Sequence, residues 1–414
     1  MAGMDIAFFA SSLVSAYWNG AATYYRGIVR AMAERGHRVT FYEPDAYDRQ
    51  KHRDIEDPPW AKVVVYSSNG TDAVLRCLDD ARGADLIVKA SGVGVFDELL
   101  EAAVLDLKTP ENLVAFWDVD APATLERVSG GAPIFPSPGT PAEGRVGVGR
   151  ANIPLEVERI PNKPSPQPSP GVPGEGADPF RPLIPRYDVI LTYGGGDPVV
   201  NAYEGLGAKQ CVPIYNALDP STHHAVQPDA RFDADLGLLA NRLPDREARI
   251  DDFFFRAAAA LPDHRFLLGG NGWQDKARPA NVDYVGHVYT RDHNAFNCTP
   301  RAVLNVSRES MARFGFSPAT RVFEAAGAGA CLITDFWEGI DLFLEPGEEV
   351  LVARDGAEVA RHLESLDPAA ARKIGAAAQH RVLSKHTYAH RAEYLEAVLN
   401  GLAPSHTKLS AIAS

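Results

Sequence analysis

Four cysteines in 414 residues, scattered as Cys77, Cys211, Cys298 and Cys331 without a CxxC pair, exclude a disulfide scaffold and the common zinc modules. No apolar run approaches the roughly 20 residues that a membrane-spanning helix needs. The opening stretch contains AFFASSLVSA, but its leading residues carry Asp5 and no Lys or Arg, which argues against a secretion signal. Positive charge is also scarce. The 41 Lys and Arg face 54 Asp and Glu, a formal net charge of −13, which excludes a general nucleic-acid or anionic-membrane surface. No GxGxxG follows the first expected strand, so the fingerprint of a dinucleotide dehydrogenase is missing. These absences fit a reduced, cytoplasmic protein without a transmembrane segment. An acidic chain that binds an anion must gather its cations locally, so arginines beside glycine loops carry information.

What is present is alternation. Apolar runs at 5–10, 37–42, 85–89 and 113–118 read as strands, with helical patterns at 21–35, 71–82 and 96–107 between them. Strands alternating with helices predict a parallel sheet with right-handed crossovers. The stretch 129–176 breaks the pattern. It is rich in Pro and Gly, and PSPGTPAEG at 136–144 recurs as PSPGVPGEG at 168–176. That composition predicts a disordered insertion without a catalytic role. The alternation resumes with strands at 187–193 and 211–215, then 234–240, 265–268 and 282–285, with helices from 198 and over 246–260. Residues 369–402 read as a helical tail.

One stretch stands at the centre, RESMARFGFSPATRVFEAAGAGACLIT, residues 308–334. The apolar run before it predicts a buried strand, and Gly315 a loop. Ser317-Pro318 reads as an N-cap followed by the first residue of a helix that runs to about Ala328. A helix that starts beside the carboxyl end of a strand directs unpaired N–H groups into the crevice where α/β sheets bind anions. Arg321 and Glu324, three residues apart, share one face of that helix. The pattern points to a site for a nucleoside diphosphate.

GFSPATRVFEAAGAGACLIT also resembles the C-terminal half of the CgeB-like (spore maturation protein type) glycosyltransferases, a group of the GT-B superfamily. The resemblance extends over nearly the whole chain outside 129–176, including the RGHRVT strand entry and the NALDP segment at 216–220. It implies two Rossmann-like domains facing across a cleft, with the Pro/Gly-rich insertion in the first. The boundaries expected are 1–213 for an acceptor domain, 214–385 for a nucleotide-sugar domain, and 386–414 for a helix and tail returning to the first. Many retaining relatives place two glutamates eight positions apart here. This chain keeps the second, Glu324, and has Phe316 in place of the first.

The resemblance implies a metal-independent transfer of a sugar from a nucleotide-diphosphate sugar to a glycan, protein or small-molecule acceptor, with no cofactor beyond the donor. Arg242, after the first strand of the second domain, matches the family's phosphate-binding arginine, and Arg246 falls near a second one. Asn271 and Gly272 lie in a glycine turn that lets backbone approach the nucleotide, and His287-Val288 resembles the stretch that reads the base. Gly315, Phe316, Ser317 and Arg321 would hold the diphosphate, and Glu324 the ribose hydroxyls, since a carboxylate accepts two of them. In the first domain Asp118 is the candidate general base. With Asp120 it forms a DxD, a metal motif of another transferase class that does not match this order of elements. Trp18, Asn19 and Gly20, with Gly194 and Gly195, are candidate acceptor contacts. The adjacent His223 and His224 suggest zinc, but two neighbours do not easily face one ion, and they read as hinge residues. The rivals are a non-catalytic GT-B-like protein that binds glycans or partners, and a nucleotide-sugar 2-epimerase.

Overall fold

The computed structural model describes residues 3–17, 19, 21–130 and 178–401. Apart from Ser129 and Gly130, the expected insertion lies outside the described residues, as do Trp18 and Gly20.

Two parallel sheets organise the chain. The first contains β1 (Asp5–Phe9), β2 (Arg38–Asp45), β3 (Lys62–Ser67), β4 (Leu86–Ala90), β5 (Leu113–Asp118), β6 (Val189–Thr192) and β7 (Cys211–Pro213). Its order is β3-β2-β1-β4-β5-β6-β7. The second contains β8 (Leu236–Leu239), β9 (Phe266–Gly269), β10 (Val282–Gly286), β11 (Ala302–Asn305), β12 (Leu332–Asp335) and β13 (Leu351–Ala353), in the order β10-β9-β8-β11-β12-β13. Both sheets reverse direction of winding once, between β1 and β4 and between β8 and β11. At such a switch point the loops leaving adjacent strands part, and a crevice opens at the carboxyl ends. Central strands such as Leu86–Ala90 and Phe266–Gly269 are buried at every residue, which fits sheets covered on both faces by helices. Apolar clusters fill both faces of each sheet.

Several elements escape the sequence pattern, among them the helices Ala121–Val128, His293–Cys298 and Gly356–Ser365. β3 is an edge strand, half open to solvent, and β13 is only three residues long. A short helix, Glu309–Phe314, occupies what reads as loop. The central helix also begins later than its sequence suggests. It spans Thr320–Gly327, with Ala319 at the N-cap and no side-chain cap, so Ser317 is not the cap and Pro318 is not helical.

The chain crosses between the sheets twice, and the crossings are tied together. Leu218 N–H donates to the His386 carbonyl at 2.8 Å, and Tyr388 N–H donates to the Leu218 carbonyl at 3.1 Å. Buried Arg391 donates to the carbonyls of Tyr215 and Asn216 at 3.2 and 3.3 Å. The last helix, Tyr388–Leu399, lies against the helix Ala22–Glu34, with Leu395 and Val398 in the core of the first sheet. Among the described residues no helix is long and apolar enough to cross a membrane.

Candidate functional site

The carboxyl ends of the two sheets face one another. Direct contacts join them: Gly195 N–H donates to the Phe316 carbonyl at 2.7 Å, and Asn216 Nδ2 donates to the Pro318 carbonyl at 2.9 Å. Arg313 reaches Glu126 at 2.8 Å.

On the second sheet's side, three arginines converge around the start of the central helix. Arg308 follows β11, Arg246 lies in the helix Pro244–Ile250 after β8, and Arg321 is on the first turn of Thr320–Gly327. Burial lowers the Arg246 pKa, and the nearby cations Arg308 and Arg321 lower it further, against Asp245. Arg308 is held by Asp245, which keeps its charge against the cost of burial. Two of these side chains are short of partners. Among the described residues Arg246 Nε is buried without a hydrogen bond, and Arg321 Nη1 has only the Glu324 carboxylate beside it, without hydrogen-bond geometry. An unpaired buried cation is costly, and like charges drawn together cost more, unless an anion joins them. The uncapped helix start adds unpaired backbone N–H groups at the same place.

Glu324 lies one turn on, buried. Its Oε2 is 3.1 Å from Arg321 Nη1, and its Oε1 is 3.9 Å from His223 Nε2. Burial opposes the carboxylate, but the Arg321 guanidinium holds its pKa below the ordinary value. Donor atoms of His223, His293 and Glu324 all lie within 4.8 Å of one another. His293 is kept neutral, its pKa pushed down to about 4 by burial and then by Arg321. Both histidines lie on the crossing between the sheets, where the hinge reading put them. His224 is exposed, whereas His223 is buried at the site. Gly327 makes this possible, since a Cβ there would sit 2.4 Å from Leu218 and 3.1 Å from the His223 carbonyl.

On the first sheet's side the expected base is closed off. Asp118 is fully buried, and its carboxylate is saturated. Oδ1 accepts from Ser91 Oγ at 2.7 Å, Thr124 Oγ1 at 3.1 Å and Asp120 N–H at 3.0 Å, and Oδ2 accepts from the Tyr203 hydroxyl at 2.5 Å. Asp118 is thus a structural brace, and the DxD cannot chelate through it. Asp120 is open to the cleft, yet surrounding protein strips enough hydration to raise its pKa. Asp118 adds to the effect and Arg308 opposes it. Tyr193, at the end of β6, senses Asp120, Arg308 and Glu324, and burial pushes its hydroxyl up to about 12. Asp120, Tyr193 and Arg308 therefore lie within electrostatic reach of one another.

Several expected contacts are otherwise engaged. Arg242 is gripped by Glu247 at 2.7 and 2.8 Å and by Asp275 at 3.0 Å, which raises its pKa, so its fork is not free for phosphate. Asn19 is buried and staples its own loop, accepting from Ser11 Oγ and donating to the carbonyls of Ser12 and Ser15. It is a packing residue. Gly194 and Gly195 lie against Phe316 and Ser317 of the other half, where a Cβ on Gly194 would come within 2.9 Å of Ser317 Oγ. Gly315, at φ +69, turns the chain against Glu338. Asn271 and His287 are exposed partners at 3.3 Å, Gly272 accepts from Arg242, and the Val288 carbonyl accepts from His293 Nε2 at 3.2 Å. These four lie beyond β9 and β10, along the same edge as Arg246 and Arg321. Sequence reasoning did not single out Arg308 or His293, and it named Asp120 and His223 without placing them at this site. Arg308 opens the central stretch directly after an apolar strand, a position that carried the signal.

Residues 246–397 match the family described as Glycosyl transferase-like. Anabaena HepE, in complex with UDP and glucose, is a similar solved structure at a TM-score of 0.61 and 13% identity, over 97% of this chain and 100% of that one. Sucrose-phosphate synthase from Thermosynechococcus elongatus follows at 0.60 and 15%, over 96% and 99%. The lipopolysaccharide outer core galactosyltransferase WaaB gives 0.55 and 13%, over 96% and 100%. No curated protein sequence matches the chain. The two parallel-sheet domains of this chain have the GT-B fold.

Proposed function

We propose that the protein is a glycosyltransferase of the CgeB-like kind, moving a sugar from a nucleotide-diphosphate sugar to an acceptor hydroxyl. The observation that carries this reading is the group of three arginines at an uncapped helix start, one of them with a buried nitrogen that has no hydrogen bond among the described residues, beside a buried carboxylate. In this proposal the diphosphate lies against Arg246, Arg308, Arg321 and the first turn of Thr320–Gly327. Glu324 accepts the ribose hydroxyls. Residues 1–213 form the acceptor side, 214–385 the donor side, and the last helix belongs with the first. The UDP found in HepE, and the family match over 246–397, support a nucleoside diphosphate as the leaving group.

In the reaction the acceptor oxygen bonds to the anomeric carbon while the bond to the β-phosphate oxygen breaks. The electron pair leaves with the diphosphate, so the arginines and helix dipole act where charge develops. Asp120, ionised, takes the acceptor proton, and a pKa above the usual carboxylate range suits it to that work. The cations in this scheme are the arginines, with no metal or cofactor required.

A thermal-shift panel of nucleoside diphosphates and their sugars tests the proposal. A true donor at a hundred times its Kd stabilises the fold by about 2.7 kcal/mol. The shift should be lost in Arg321→Ala, and radiolabelled sugar should be released or transferred only with the same nucleotide. No shift with any nucleotide would overturn the reading.

A further inference from the structure

His223 carries an unexplained polar atom. The side chain is on the interdomain crossing, and the residue is 5% exposed. Its Nδ1 is paired with Thr222 Oγ1 at 3.0 Å, while Nε2 is buried without a hydrogen-bond partner among the described residues. The crossing is held in place, because Asn294 Nδ2 donates to the Thr222 carbonyl at 3.0 Å and Asn294 Oδ1 accepts from His224 N–H at 3.3 Å. Nε2 therefore points to a fixed place. The nearest complementary atom is Glu324 Oε1 at 3.9 Å, too far for a hydrogen bond. An oxygen about 2.8 Å from each atom bridges such a gap with ordinary geometry.

Two ligand chemistries suit that gap, a metal ion and a hydroxyl. A dication held by His223, His293 and Glu324 would sit beside the Arg321 guanidinium, which already occupies the other Glu324 oxygen at 3.1 Å. It would be repelled there. A hydroxyl carries no charge, donates to the carboxylate and pairs with the imidazole. We infer that His223 and Glu324 together hold one hydroxyl of the nucleotide's ribose, which makes His223 the residue that distinguishes a ribonucleotide donor from a deoxyribonucleotide. The inference rests on the donor reading above. It adds a side chain from outside the second sheet, so that ribose recognition also engages the crossing between the two halves.

The test uses whichever of UDP, GDP and ADP binds the full-length protein most tightly, with its 2′-deoxy and 3′-deoxy analogues, by calorimetric titration with EDTA present. His223→Ala should weaken the ribonucleotide about five- to tenfold, the usual worth of one hydrogen bond. One of the two analogues, the one lacking the shared hydroxyl, should bind both proteins equally, and the other should show the same loss. His223→Gln, which keeps a nitrogen near the Nε2 position, should recover part of the affinity and guards against a folding defect in the alanine variant. Equal losses for all three ligands, or none, would overturn the assignment. So would a difference that disappears with EDTA and returns with zinc, which would make the trio a metal site. Failure of the wild type to bind any nucleotide would remove the donor reading and the assignment with it, a result distinct from a wild type that binds but ignores His223.

Discussion

Gly195 N–H and the Phe316 carbonyl, 2.7 Å apart, join the loop after β6 to the loop before the central helix. The Phe316 ring fills a recess between two glycines. A Cβ on Gly196 would come within 2.6 Å of the ring, and one on Gly339 within 2.2 Å. Phe316 itself has φ +47, an uncommon conformation for a side chain of its size, held by its N–H bond to the Glu338 carbonyl at 2.6 Å. Phe316 is thus an aromatic wedge at the seam, at the position where the family resemblance would place a glutamate.

Gly196→Ala should therefore disturb the site as well as the fold. The residue has φ +51, where an alanine costs about 1–2 kcal/mol, and its methyl would strike the ring. Expected are a lower melting temperature and weaker donor binding, with Gly196→Ala/Phe316→Ala recovering part of the binding. If the single variant binds donor like the wild type, the seam does not shape the site.

The arginines should separate by role. Arg308→Ala and Arg246→Ala should reduce affinity for a nucleoside diphosphate while leaving the bare nucleoside little changed. Arg321→Ala should do the same at a cost of at least 1.5 kcal/mol, and Glu324→Ala should cost about 1.5–3 kcal/mol with either ligand. Arg242→Ala should instead lower stability through the loss of its Glu247 and Asp275 pairs, with diphosphate affinity kept. Titrations and melting curves on the five variants decide it. A large diphosphate-specific loss in Arg242→Ala would return the phosphate site to that residue.

Much of this architecture was readable because buried parallel strands are nearly continuous apolar runs, and the helix between β11 and β12 is bounded by glycines. β3 was not, since an exposed edge strand such as Lys62–Ser67 lacks a clean pattern. The site was legible at Arg321 and Glu324, whose spacing alone puts them on one face. Arg242 and Arg246 could not be sorted, because their roles depend on which of them Glu247 grips and on Asp275 and Arg308, which only the fold brings near. Asp118 and Asp120 differ by two positions along the chain. Which of them faces the cleft is decided by Ser91, Thr124 and Tyr203, partners from three other segments. His223 was not linked to the site because Glu324, 3.9 Å from it in space, is 101 residues away along the chain.

The two aspartates should give opposite phenotypes. Asp120→Asn should preserve donor affinity and fold while lowering turnover at least a hundredfold, the lower range for a positioned base. The acid limb of the wild-type rate profile should lie above the ordinary carboxylate value, because Asp120 is raised and must be ionised to act. Asp118→Asn should mainly destabilise, since an amide cannot accept from every donor that the carboxylate now serves. Full turnover in Asp120→Asn would take it out of the mechanism.

The returning helix supplies a prediction about pH. Glu396 accepts from Arg35 Nη2 at 2.5 Å and is paired with His37 Nε2 at 2.8 Å, fastening the helix Tyr388–Leu399 to the first domain. Arg35, aided by His37, draws the Glu396 carboxyl down to about 2, against an ordinary value near 4.5. A carboxyl depressed in the folded state binds its proton more readily when unfolded, so the pair stabilises the fold fully above the ordinary value. That contribution fades as the pH drops from about 4.5 towards 2. Glu396→Gln should thus melt earlier than the wild type at pH 7, and the gap should narrow at pH 4 and again at pH 3. Arg35→Ala should show the same closing gap, because it removes the other half of the pair. A difference in melting temperature that stays constant from pH 7 to pH 3 would mean that Glu396 acts through packing, and that its charge does not secure the helix.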